Sequence, residues 1–94
     1  MSEGFKGDVG TIVARVRDVF PDMVVQQLSV THPTDDDGIW YFHRPEAPDD
    51  DIQIESSYGL CPFLIEDSRS SLARRGETVS DVVRMICEHF GTKR

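Results

Sequence analysis

Two cysteines, three histidines and two runs of three aspartates are the residues of this chain whose types could do chemistry. Cys61 stands in ESSYGLCPFLIED (55–67), between a glycine turn and a proline. A thiol attacks only as its thiolate, so it needs a base or a helix N-terminus beside it. The histidine at the same end of the expected sheet, His32, falls three strand spacings away, roughly 14 Å. His43 falls at the opposite end, and carboxylates such as Glu55 push a thiol pKa up. A phosphatase-like cysteine would need arginine at position 67, where Asp67 stands. Cys61 and Cys87 therefore read as core thiols, and no catalytic residue is assigned. A small thiol-dependent enzyme using Cys61 or His43 is retained as an alternative.

The aspartate runs, Asp35–Asp37 and Asp49–Asp51, raise the question of a cation. They bracket one short strand and so lie roughly 20 Å apart, too far to share an ion. Asp37-Gly38 leads straight into IWYFH without the distal glutamate of a calcium loop. His32, His43 and His89 are scattered, without the spacing of a zinc site. No metal and no cofactor is expected.

The elements that position these groups follow from pattern. DVGTIVARVRDVFP predicts a helix capped by Asp8, buried through Val9, Ile12, Val13, Val16, Val19 and Phe20, and stopped by Pro21. Strands are predicted over 23–32, 39–44, 52–57 and 60–66 from β-branched and aromatic enrichment with partial alternation. Turns fall at 33–38 and at Tyr58-Gly59. PEAPDDD (45–51) reads as a loop, because two prolines and three acids do not continue a central strand. DSRSSLARRGE (67–77) reads as a polar, basic connection with a helical turn. Thr78 then caps a final helix, with Val79, Val82, Val83, Ile86, Cys87 and Phe90 as its apolar stripe and Gly91 as its stop.

The order α-β-β-β-β-α predicts an α+β two-layer sandwich, a four-stranded antiparallel meander with two helices on one face. Residues 1–94 form one domain, with 1–7 a flexible N-terminus. No apolar run approaches the roughly 20 residues of a membrane helix. The N-terminus lacks the pattern of a signal peptide, and two free cysteines suit a reducing compartment. The expectation is a cytoplasmic protein with no membrane partner.

Charge is the most informative bulk property. The net charge of −7 hides a segment, 22–67, with eleven acids against Arg44 alone, while 68–94 carries six bases and three acids. The acidic segment repels phosphates, which excludes nucleic acid as a partner and favours a basic protein. Two helices leave one sheet face bare. In the second strand, Trp40 and Phe42 take one face and Ile39, Tyr41 and His43 the other. Ile52 and Ile54 point inward in the third, turning Gln53 and Glu55 out. An aromatic patch rimmed by carboxylates marks a binding surface. Its candidate residues are Tyr41, His43, Gln53, Glu55, Asp49, Asp50 and Asp51. A homodimer through the same face is the alternative of equal weight. Arg69, Arg74 and Arg75 are expected to pair internally with Glu66, Asp67 or the 49–51 loop.

IWYFHRP, DIQIESSYGLCPFLIED and RRGETVSDVVRMICEHF together resemble the small, acidic, single-domain α+β proteins found among bacterial immunity proteins and uncharacterised families. The likeness implies a non-enzymatic protein that binds another protein, and it transfers no site residues. A structural homo-oligomer and a small acidic secretion chaperone are the remaining functional alternatives.

Overall fold

The computed structural model describes residues 7–27, 37–57, 59–68 and 70–91. Two helices and five strands follow in the order α1 (Gly7–Val19), β1 (Val24–Gln27), β2 (Asp37–Arg44), β3 (Ala47–Ser57), β4 (Phe63–Asp67), β5 (Ser70–Gly76) and α2 (Val79–Phe90). The sheet is an antiparallel meander, β1-β2-β3-β4-β5. The expected α+β class and meander stand, but there are five strands where four were expected.

The fifth strand comes from the segment read as a connection. SSLARRG has little of the β-branched character that marks a strand. It becomes one because β4 offers a free edge, against which Leu64 pairs with Arg75 and Ile65 with Arg74. As the outermost strand it exposes Arg74 and Arg75 and blunts the edge with charge. Its last residue, Gly76, is buried; a Cβ there would stand 2.6 Å from Val82 Cγ2. Only hydrogen lets α2 lie that close to the sheet. β4 is interior, and Pro62 precedes it, after a cis Cys61–Pro62 bond.

The acid-rich segment 45–51 is also largely strand. β2 turns at Pro45-Glu46 and β3 starts at Ala47, with an irregularity where His43 opposes Asp51 and Arg44 opposes Ala47. Asp37 and Gly38, read as turn, belong to β2. The expected strand residues 28–32, turn residues 33–36 and Tyr58 lie outside the described residues, as do residues 1–6; Gly7 already opens α1.

The core is built from alternate residues of one sheet face and the apolar stripes of both helices. Val25, Trp40, Phe42, Ile52, Ile54, Phe63 and Ile65 meet Val9, Ile12, Val13 and Val16 of α1 and Val82, Ile86 and Cys87 of α2. Val19, expected on the buried stripe of α1, is half exposed, whereas Phe20 is buried beyond the helix end. The Trp40 ring fills the space over Gly38, where any Cβ would collide with it. At α2 the expected capping holds. Thr78 Oγ1 accepts from Asp81 N at 3.1 Å, and Gly91, at φ 80°, ends the helix with its N–H on Glu88 O. Thr78 thereby satisfies one of the helix's unpaired N–H groups, worth about 1 kcal/mol.

Candidate functional site

The bare face is assembled by pairing register. Successive side chains of a strand alternate between faces, so burial of Trp40, Phe42, Ile52, Ile54 and Ile65 sends their neighbours to the opposite side. Tyr41 lies opposite Gln53, and Gln53 lies opposite Glu66. In the adjoining row Ile39 faces Glu55, Glu55 faces Leu64, and Leu64 faces Arg75. In the row on the other side Val24 faces His43 and His43 faces Asp51. Gln53 is thus the centre of a cross, with Tyr41 and Glu66 across the strands and Asp51 and Glu55 along its own strand. Tyr41, His43, Asp51, Gln53 and Glu55 are partly exposed, and Leu64 is 45 % exposed.

Asp51, Glu55 and Glu66 make no side-chain hydrogen bond or ion pair with the described residues. Among the described residues the arginine on this face is Arg75, which turns to Glu77 at 2.7 Å. The face therefore keeps three uncompensated carboxylates around a phenol, an amide and the apolar Ile39 and Leu64. Glu66 and Leu64 were absent from the residues chosen by sequence. The signal for them was the alternation of PFLIED, in which inward Phe63 and Ile65 force Leu64 and Glu66 out.

The three aspartates 49–51 do not act together. Asp49 is exposed, Asp51 belongs to the bare face, and Asp50 turns to the helices. Asp50 Oδ1 lies 2.9 Å from His89 Nε2 and accepts a hydrogen bond from Ser68 Oγ at 3.2 Å. A carboxylate only accepts, so Nε2 carries the hydrogen in this contact. The other ring nitrogen, Nδ1, is 3.8 Å from Asp67 Oδ2, which also receives Arg74 Nη2 at 3.4 Å. The imidazole side chain is only 3 % exposed. It ties the end of α2 to β3 and β4, its ring edge-on to Phe90 at 4.7 Å.

This cluster contains serine, histidine and aspartate, but not in the order that acyl transfer needs. The serine hydroxyl and the imidazole both end on the same Asp50 oxygen, so the base does not stand against the nucleophile. The two aspartates approach opposite ring nitrogens and do not converge on one point. The arrangement is a structural tie. His89 was passed over in the sequence, although it stands on the same helical face as Val82 and Ile86. The expected internal pairing of the basic segment is realised for Arg74 with Asp67; Arg69 lies outside the described residues.

At the opposite end of the sheet, Cys61 lies just ahead of β4, not within it on the inner face. Its backbone N–H donates to Asp8 Oδ2 at 2.8 Å. Asp8 sits in the first turn of α1 instead of before it, and its carboxylate caps the β3–β4 connection. Val9 N donates to Gly59 O at 2.9 Å beside it. Partial burial, then the hydrogen bond and charge of Asp8, push the Cys61 thiol from 9.0 to about 11. That is the reverse of what a nucleophile requires. Burial also raises Cys87, and both thiols are free.

No protein-family model, no curated protein and no solved structure matches this chain. Among the described residues no helix is long and apolar enough to cross a membrane.

Two expectations follow from these geometries. At pH 8 the raised Cys61 pKa cuts its thiolate fraction on the order of 100-fold against an ordinary thiol, while the stronger basicity returns about 10-fold in nucleophilicity. Iodoacetamide should label Cys61 about 10-fold more slowly in the native chain than in urea, read by peptide mass spectrometry, and Asp8→Asn should speed it. Because the folded state prefers the protonated thiol, this contribution to stability is complete below pH 9 and lost as pH rises through about 11. Equal labelling rates would contradict the assignment. Separately, His89→Ala should cost about 2–3 kcal/mol in urea unfolding, since it removes a buried hydrogen-bonded side chain. A double-mutant cycle with Asp50→Asn should return a coupling near 1 kcal/mol; a coupling of zero would mean that His89 acts by filling space alone.

Proposed function

We propose that this chain is a non-enzymatic protein-binding module, of the immunity type, that holds a basic partner against the bare face of its sheet. One observation carries the reading. Asp51, Glu55 and Glu66 stand without partners among the described residues on a face that also presents Tyr41, Ile39 and Leu64. Apolar and aromatic area supplies the attraction of a partner's core contact, and a carboxylate rim chooses its sign. The negative field of the whole chain, −7, speeds the approach of such a partner and makes the rate fall as salt rises.

The same observation ranks the alternatives. A two-fold homodimer through this face would lay the patch against its own copy, bringing like charges together at a desolvated contact. A basic partner converts that penalty into pairing. A thiol-dependent enzyme is disfavoured by the raised pKa of Cys61. The secretion-chaperone alternative draws on net charge and the helix–sheet layout alone, and no side-chain geometry favours it.

A photo-cross-linking amino acid placed at Leu64, on the bare face, or at Asp18, exposed on α1, distinguishes these readings in the natural host. The Leu64 probe should join a different chain whose contacting peptide is rich in Lys and Arg. The adduct should vanish with Glu55→Lys/Glu66→Lys, and the Asp18 probe should give none. Adducts between two copies of this chain would overturn the proposal in favour of the homo-oligomer.

A further inference from the structure

The bare face carries the same kinds of group, an aromatic ring and carboxylates, that surround an arginine elsewhere in the molecule. At the rim of the core, the Arg44 guanidinium lies 4.6 Å from the centre of the Phe20 ring. Its nitrogens reach Asp22 at 3.2 Å and Glu46 at 3.6 Å. Ring, planar cation and two carboxylates form one assembly. Its parts are matched to arginine: the guanidinium stacks on an aromatic face, presents a fork to carboxylates and sheds water more readily than an ammonium.

On the bare face the ring is Tyr41 and the carboxylates are Asp51, Glu55 and Glu66. Register places them compactly. Gln53 separates Tyr41 from Glu66 along one row, so ring and carboxylate are about two strand spacings, roughly 10 Å, apart. Asp51 and Glu55 flank Gln53, each diagonal to both Tyr41 and Glu66, and diagonal neighbours on a sheet stand about 7–8 Å apart. A guanidinium over Gln53 therefore reaches Tyr41 on one side and a carboxylate on each of the others. Ile39 and Leu64 stand on either side of Glu55. Arg75, the arginine of this face among the described residues, is engaged with Glu77.

We infer that the partner of this face is a protein segment that inserts an arginine, and not merely positive charge, over Gln53 between Tyr41 and the carboxylates Asp51, Glu55 and Glu66. The inference rests on the reading of the bare face as the binding surface, and it names the chemistry of the contact. A lysine meets the same carboxylates as a point charge but gains less from the ring and cannot engage two carboxylates in one plane. Glu66 and Glu55 set the affinity for any cation; Tyr41 sets the choice between cations.

Two synthetic peptides of identical length and sequence, one with four arginines and the other with lysines in their place, test this by titration into the isotope-labelled full chain. Amide shifts report the position and the titration reports affinity. The arginine peptide should move the amides of Tyr41, Gln53, Glu55 and Glu66 and bind at least three-fold more tightly than the lysine peptide. Tyr41→Phe should keep that ratio; Tyr41→Leu should lower it, weakening the arginine peptide more than the lysine peptide. Glu66→Gln should weaken both peptides together. If both bind the bare face equally, the arginine inference fails while the basic-partner reading stands. If neither moves these amides, or the shifts map to another surface, both fail. The comparison on the unsubstituted chain decides the matter even where Tyr41→Leu does not fold.

Discussion

Two helices cannot cover both faces of a five-stranded sheet. That limit governs the rest of the molecule. The side chains committed to burial, from Val25 and Phe42 through Ile52, Ile54, Phe63 and Ile65, all stand on the pleat that faces Ile12, Val16, Val82 and Ile86. Because strand side chains alternate, each of these residues sends its neighbour to the other side. The composition of the bare face is thus a consequence of the core's register. A slip of one residue would expose Phe42 and Ile54 and bury Tyr41, Gln53 and Glu55, so the hydrophobic term pins the bare face as firmly as it pins the core.

Polar contacts then hold the two layers together at their ends. At one end Asp8 reaches from α1 to the Cys61 N–H, and Val9 to Gly59. At the other, His89 binds α2 to Asp50, with Asp67 and Arg74 behind it, and Arg44 bridges Phe20, Asp22 and Glu46. Apart from Asp8, the acids involved belong to the broad negative segment 22–67. The structure sorts those acids into two kinds. Asp8, Asp22, Asp50 and Asp67 are engaged in holding the fold; Asp51, Glu55 and Glu66 are left to face outward. The uncompensated charge on the bare face is accordingly smaller and more localised than the count of carboxylates in residues 22–67 suggests.

What could be read in the residues, and what could not, follows the range of the interactions involved. Helix α2 was legible because its signals are local: the Thr78 cap, a stripe of period 3.6 and Gly91. The division of β2 into two faces was legible from the strand period alone, although IWYFH is apolar and aromatic on both. Strand β5 was not, since SSLARRG becomes a strand through its neighbour β4 and not through its own propensity. Asp49–Asp51 looked like a solvated loop because nothing in the run itself announces that Asp50 will meet a histidine on the final helix. His89 carried a local clue, its place one turn beyond Ile86, but the carboxylates on either side of it come from strands distant in sequence. Glu66 and Leu64 were missed through a misplaced edge: once β4 is interior, its outward residues lie inside the bare face and not at its margin. Which acids are already paired was not legible either, because sequence counts acids without telling which are satisfied.

The central claim is that the sheet face centred on Gln53 is open in the free protein. Solvent paramagnetic relaxation with a neutral gadolinium chelate measures that directly, side chain by side chain. The side-chain signals of Tyr41, Gln53 and Leu64 should broaden strongly and independently of protein concentration, while those of Phe42, Ile52 and Ile54 on the opposite pleat remain sharp. Equal protection of both sets, or protection of Tyr41 and Leu64 that grows with concentration, would show the face to be covered and would contradict the account.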